Sequence, residues 1–217
     1  MTLQGLVLKI DKKLWYLKKF INKIRYWDLS GTKSQISIIS CNCIGGVLMS
    51  ELNMVFNTPT VNCYINTPDF LKLCQNLEEY MSMPLKYAPE PIQSAQRYPL
   101  IYLGDILIHA VHYQSFEEFC NTWNRRKARI NYNRLFLIFT DRDNFEESLL
   151  KQIEELPYKK VLFSSKNYSQ YDFICTISEF KNCDEVGNMT GFKKGITWNR
   201  RYTAYPFVKK FRSMVNS

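Results

Sequence analysis

Leu135-Phe136-Leu137-Ile138-Phe139 is an unbroken apolar run that ends abruptly at Thr140-Asp141-Arg142-Asp143. A strand with no polar position to turn toward water is buried on both faces, which requires layers above and below its sheet. Other segments supply those layers. Gln35 to Ser40 is a short β-branched run that passes through Cys41-Asn42-Cys43-Ile44-Gly45-Gly46 into a helix-like stretch from Val47 to Met54. Thr58 to Ile65 is another strand candidate, and Thr67-Pro68-Asp69 opens a helix to about Met81, with Thr67 as cap and Pro68 in the first turn. Residues 84–99 are Pro-rich and irregular, and Leu100 to Tyr113 is strand-like, broken at Gly104. Ser115-Phe116-Glu117-Glu118 fits a capping box for a helix to about Ile130, residues 144–156 read as an acidic helix, and Lys159 to Ser165 as a further strand. Strands and helices alternating at these lengths predict an α/β fold: a Rossmann-like three-layer sandwich with a mostly parallel sheet.

Charge divides the chain differently. Residues 1–27 carry +6, residues 187–217 carry +7, and the +9 total therefore leaves −4 for residues 28–186. In the N-terminal segment Ile10, Leu14, Leu17, Ile21 and Ile24 recur at helical spacing among lysines. Residues 1–30 are thus expected to form a basic amphipathic helix, and residues 31–217 a single α/β domain with a basic C-terminal extension. The basic ends suit an anionic membrane surface, or else a helix docked on its own domain; with an acidic centre and no nucleic-acid motif, nucleic acid is not an expected partner. Lys9 and Asp11 interrupt the apolar start and no small-residue cleavage site follows, so no signal peptide is expected. Seven cysteines, an odd number without a dense paired framework, fit a reducing compartment. The expected location is the cytoplasm or the inner face of a membrane.

Three motifs carry candidate chemistry. Cys43 stands where a strand passes into a helix, a position that favours thiolate, with Gly45 and Gly46 admitting a carbonyl or phosphate and Asn42 donating to an oxyanion. The alternative is a buried cysteine in a tight turn, its glycines needed only for packing. His109 and His112, the chain's two histidines, follow Asp105 closely. In an extended strand Asp105 and His109 share a face, so the carboxylate would orient a general base; the alternative is a core histidine bonded to backbone. Asp141 and Asp143, two residues apart, suit a metal-held nucleotide-sugar; alternatively Asp141 orients a histidine, or Arg142 binds phosphate beside Thr140, or the group merely caps a helix. Arg125 and Arg129, four apart, face one way toward a phosphate or anionic sugar, or toward solvent.

Taken in order, Ile38-Ile39-Ser40-x-Asn42-Cys43-x-Gly45-Gly46, Thr58-Pro59-Thr60-Val61, Asp105 to Glu118, Trp123-x-Arg125-Arg126-x-x-Arg129-Ile130-Asn131, Phe139 to Asp143 and Leu156-Pro157-Tyr158-Lys159 form a familiar series. The series resembles a bacterial domain-of-unknown-function family labelled exopolysaccharide biosynthesis protein, found in capsule and lipopolysaccharide gene clusters. The likeness covers about residues 33–175 and departs from the family at Cys41, where a polar residue is expected. It implies surface-polysaccharide assembly. Asn-Cys after the first strand is also similar to capsule-locus proteins regarded as coenzyme A-binding acyltransferases.

These readings lead to an O-acyl transferase acting on a sugar or polysaccharide acceptor, with coenzyme A as acyl donor and no metal. Cys43 would be nucleophile or part of an oxyanion site, and His109 the base, oriented by Asp105 or Asp141. Asn42, Gly45, Gly46, His112, Arg125, Arg129, Thr140, Arg142 and Asp143 would bind substrate. A metal-dependent glycosyl- or sugar-phosphate transferase and a non-catalytic, membrane-associated assembly factor are the alternatives.

Overall fold

The computed structural model describes residues 36–90, 92–193, 199–203 and 205–216, together with Leu17. The amphipathic helix expected over residues 1–30 lies, apart from Leu17, outside the described residues. The rest is a mixed α/β fold with one parallel and one antiparallel sheet.

The apolar run is the heart of it. Strand β5 (Leu135–Thr140) is buried at every position. It pairs in parallel with β1 (Ser37–Ser40) on one side and β6 (Lys159–Ser164) on the other, and β7 (Ile174–Thr176) extends the sheet beyond β6. Alternate side chains enter two separate cores, as period-2 geometry demands. Ile39, Leu137, Phe139 and Leu162 face one core. It is covered by helices α2 (Thr67–Gln75), α3 (Leu77–Ser82), α4 (Phe116–Lys127) and α5 (Leu149–Glu155), among whose buried residues Phe70, Leu77, Phe119 and Ile153 belong to it. Ile38, Phe136, Ile138 and Phe163 face the other, against Leu48 and Met49 of α1 (Ile44–Glu51) and Phe207 and Phe211 of α6 (Tyr205–Asn216). Phe211 meets Phe136 edge-on at 5.5 Å, and Phe207 meets Phe163 at 5.3 Å.

The stretch from Leu100 to Tyr113 departs from the expected broken strand. It is a hairpin, β3 (Leu100–Leu103) and β4 (Ile106–His109), to which β2 (Leu85–Tyr87) adds from within the segment read as irregular. Gly104 and Asp105 form its two-residue turn, with Gly104 at φ 61°, the positive-φ geometry that such tight turns use. Residues 58–65 differ too. Pro59 interrupts the run and Asn62 takes φ 68°. The segment satisfies the edge of β1 mainly with side chains: Asn57 Nδ2 donates to Ile36 O and Thr58 Oγ1 to Ile38 O, both at 2.7 Å. Tyr64 alone bridges a strand, exchanging both backbone hydrogen bonds with His109 at 2.9 Å.

Asn66 rather than Thr67 caps α2, its side chain accepting from the Asp69 amide at 2.9 Å, and Asn76 divides the expected single helix into α2 and α3. Residues 144–148 lie before α5, shorter than the expected helix. The basic C-terminal stretch spends two of its arginines internally. Arg200 Nε reaches Glu51 at 2.7 Å and Tyr202 donates to the same carboxylate, all within the interior, while Arg201 pairs with Glu179 at 2.9 Å. Among the described residues no helix is long and apolar enough to cross a membrane.

Candidate functional site

The parallel strands β1 and β5 end side by side, and their exits carry Cys41-Asn42-Cys43 and Asp141-Arg142-Asp143. The ladder continues one step past each end, with Cys41 N on Ile138 O at 3.1 Å and Asp141 N on Phe163 O at 3.0 Å. Beyond that point the chains part and leave a cleft of about 200 Å³, lined by Asn42, Cys43, Ile44, Arg142 and the loop Gly187 to Thr190.

Asn42 shapes the near wall. Its Oδ1 accepts from the Ile44 amide at 3.1 Å, its Nδ2 donates to Thr140 Oγ1 at 3.3 Å, and so it ties the start of α1 to the end of β5. Cys43 follows, half-buried, without a side-chain cap bond to the helix. Burial pushes its thiol up, opposite to the activation expected for a helix N-terminus. Gly45 and Gly46 are buried and face the protein, not a ligand. A Cβ on Gly45 would lie 2.8 Å from Ser40 Cβ, and one on Gly46 would lie 3.0 Å from Val61 Cγ1. Gly45→Ala should therefore wedge α1 off β1 and cost about 1–3 kcal/mol, read as a lowered urea midpoint with an unchanged slope.

The far wall hangs on Asp141. Its Oδ2 accepts from Ser164 Oγ at 2.9 Å and from the Ser165 amide and hydroxyl at 2.6 and 2.9 Å, while Oδ1 accepts from the Val186 amide at 2.8 Å. This carboxylate orients no histidine and does not pair with Asp143; it moors the chain just before the Gly187–Thr190 loop. Thr140 is fully buried and spends its hydroxyl on Asn42 and Cys41, so it does not face substrate.

Arg142 and Asp143 divide at the turn. Thr67 clamps the backbone here: its hydroxyl donates to Arg142 O at 2.7 Å and its amide to Asp143 O at 3.0 Å. Asp143 and Asn144 both hold positive φ, at 61° and 65°, conformations that are strained for side-chain-bearing residues and persist only where surroundings enforce them. Arg142 enters the cleft wall. Asp143 instead interacts electrostatically with Tyr64, and burial, ahead of the opposing Arg142 charge, raises its carboxyl. Tyr64 is pushed up to about 12 by burial and then by Asp143.

Tyr64 leads to His109. Their ring centroids are 4.8 Å apart, and His109 Nδ1 lies 3.3 Å from the Tyr98 hydroxyl. Burial lowers the His109 pKa from its ordinary value. Asp105 does not assist it. The hairpin puts Asp105 in the turn that starts β4 and His109 at the strand's end, and Asp105 is bound to Lys72 Nζ at 2.8 Å and the Tyr80 hydroxyl at 2.7 Å. Among the described residues no hydrogen bond joins His109 to Cys43. His112 is exposed in a turn after β4, Arg125 is exposed on α4 and Arg129 is exposed in the turn after that helix, and none of the three lines the cleft. The buried arginine of that helix is Arg126, which donates to Tyr113 Oη at 2.7 Å and Val61 O at 3.2 Å and braces the segment over α1. Tyr64, Tyr98 and the Gly187–Thr190 loop went unread in the sequence. Only Gly187-Asn188-Met189-Thr190-Gly191, polar and flanked by glycines, gave a local signal.

A family model described as Domain of unknown function (DUF1919) matches residues 13–211. The chain is also 33% identical over 193 residues to an "Uncharacterized protein" of Haemophilus influenzae (strain ATCC 51907 / DSM 11121 / KW20 / Rd), covering 88% of this chain and 90% of that relative.

Proposed function

This chain belongs to the DUF1919 family, and from that premise we propose that it is an acyltransferase of surface-polysaccharide assembly, acting on a sugar hydroxyl in the cytoplasm or at the inner membrane face. The parallel sheet with both faces covered is read as Rossmann-like, and ligands in such folds bind beyond the carboxyl ends of the strands. One observation carries the proposal: the turn that puts Arg142 in the cleft at the exits of β1 and β5 also holds Asp143, whose charge acts on Tyr64, and Tyr64 packs on a half-buried histidine whose pKa burial lowers.

In this reading coenzyme A is the acyl donor. His109 takes the proton from the acceptor hydroxyl as that oxygen bonds to the thioester carbonyl carbon; the carbon–sulfur bond breaks, and the proton ends on the departing thiol. If Nδ1 donates to the Tyr98 hydroxyl, Nε2 holds the lone pair for this step. Cys43, its thiol held protonated and without a histidine beside it, lines the site rather than carrying the acyl group. Asn42 and Arg142 orient the donor. The basic termini would hold the enzyme near an anionic membrane.

The metal-dependent glycosyltransferase alternative fits the carboxylates less well. Asp141 already accepts four hydrogen bonds, and Asp143 engages Tyr64. A metal-free sugar-phosphate transfer keeps the support of Arg142 in the cleft.

His109→Ala should cut acetyl transfer from acetyl-coenzyme A to a sugar acceptor by roughly 100-fold or more, the scale of a lost general base. The wild-type rate should fall on the acid side only below pH 6.5, because the folded protein resists protonating this ring. Stability has the same sign: as pH drops through 6.5 the unfolded chain takes up the proton first, so unfolding becomes easier. A fully active alanine variant would sink the role of His109.

A further inference from the structure

The Arg142–Asp143 turn serves two neighbours at once, and its Arg142 side can do more than orient a donor. Thr67 fixes the turn from α2, and two consecutive left-handed residues, Asp143 and Asn144, send the chain away from it. This places the Arg142 guanidinium in the cleft wall beside Asn42 and Cys43, across from Asn188 and Thr190. The Arg142 Nε is buried yet makes no hydrogen bond among the described residues. Glu185 stands 3.5 Å from it and Asp143 4.0 Å from the nearer terminal nitrogen, ion-pair distances that keep the guanidinium in place. The side chain is 36% exposed and open to a ligand. An arginine fork with no hydrogen bond among the described residues, in a cleft that also presents Asn42, Asn188 and Thr190 beside the apolar Ile44 and Met189, matches the tetrahedral oxygens of a phosphoryl group. Asn188 is built to present that wall. Its Oδ1 accepts from the Thr190 amide at 3.1 Å, the Thr190 hydroxyl at 2.8 Å and the Gly191 amide at 3.1 Å, and this fixes the orientation of its side chain.

We propose that the cleft between Arg142 and the Gly187–Thr190 loop is a phosphoryl subsite that takes the diphosphate of the donor molecule. It rests on the reading that the donor occupies this cleft. The chemistry is shared by coenzyme A and by nucleotide-sugars, and a volume of about 200 Å³ suits the phosphate portion of either rather than a whole nucleotide.

Titration calorimetry of the full chain with inorganic pyrophosphate tests it. Wild-type protein should bind pyrophosphate at low ionic strength, and Arg142→Ala should weaken binding tenfold or more. Because that variant also frees Glu185, Asn188→Asp provides a second route: an aspartate keeps the acceptor for Thr190 and Gly191 but adds a negative charge to the wall, and should also weaken binding at least tenfold. Absence of pyrophosphate binding to wild-type protein, or equal binding by both variants, overturns the proposal. Displacement of pyrophosphate by coenzyme A but not by uridine diphosphate supports it together with acyl transfer. Displacement by uridine diphosphate alone supports the subsite while overturning the acyl-donor assignment.

Discussion

Asp141→Ala is expected to lower the free energy of unfolding by about 3–5 kcal/mol, a fall of roughly 10 °C in Tm for a chain of this size. The cost comes from what the carboxylate leaves behind. Two backbone amides, Ser165 and Val186, and two hydroxyls, Ser164 and Ser165, all donate to it in a site where Asp141 is 7% exposed. Hydrogen bonds to a charged acceptor contribute about 1.5–3 kcal/mol each, and buried donors without partners carry a desolvation penalty. Asp141→Asn keeps the shape but turns an NH₂ toward some of those donors, and should lose roughly half as much. Because the same four bonds moor the chain ahead of Gly187, exchange of the Val186 amide should also quicken in both variants. A urea titration giving less than 1 kcal/mol for the alanine change would show that this carboxylate is not what joins β5, β6 and the loop.

Glu51→Ala should be of similar size, about 3–5 kcal/mol, for a different reason. Glu51 is 1% exposed on α1, and Arg200 Nε meets it at 2.7 Å with Tyr202 on the other oxygen. Removing the acid leaves a buried guanidinium whose charge has lost its counterpart, although Thr190 O and the Phe192 ring at 4.2 Å still contact it. Replacing Glu51 and Arg200 together by methionine should cost clearly less than the sum of the single changes, since no charge is then stranded. Additive losses would mean that the two side chains are not coupled.

Both residues show what the sequence could and could not disclose. The apolar run Leu135–Phe139 and the turn at Asn42-Cys43 are local patterns, and they mark strand exits that do lie side by side. The roles of Asp141 and Asp143 are not local. The two stand two residues apart with the same functional group, and only Ser164, Ser165 and Val186, between 23 and 45 residues away, decide that the first is structural. The same holds for Gly45 and Gly46, whose meaning lies in Ser40 and Val61 pressing against their Cα atoms. Tyr64 was unreadable as a link to His109 because the isolated bridge between them joins residues separated in the chain by two helices and the β2–β3–β4 strands. The Asp105 pairing failed for a legible reason. Gly104-Asp105 between two apolar pairs is a hairpin turn signal. Treated as a blemish in one strand, it put Asp105 and His109 on one face; as a turn, it sets them at the two ends of β4. Glu51 stands in an apolar helical stretch, and its partner lies 149 residues on in a basic segment that looked like exposed surface.

The central claim is that the proposed acyl transfer to polysaccharide uses His109, its pKa lowered by burial, as the base. Its most direct test is the O-acetyl content of the host's surface polysaccharide, measured by proton NMR on polymer from cells carrying His109→Ala at matched protein level. The account predicts polymer of normal amount and backbone that has lost its O-acetyl signals. Unchanged O-acetylation, or loss of the polymer itself, would contradict it.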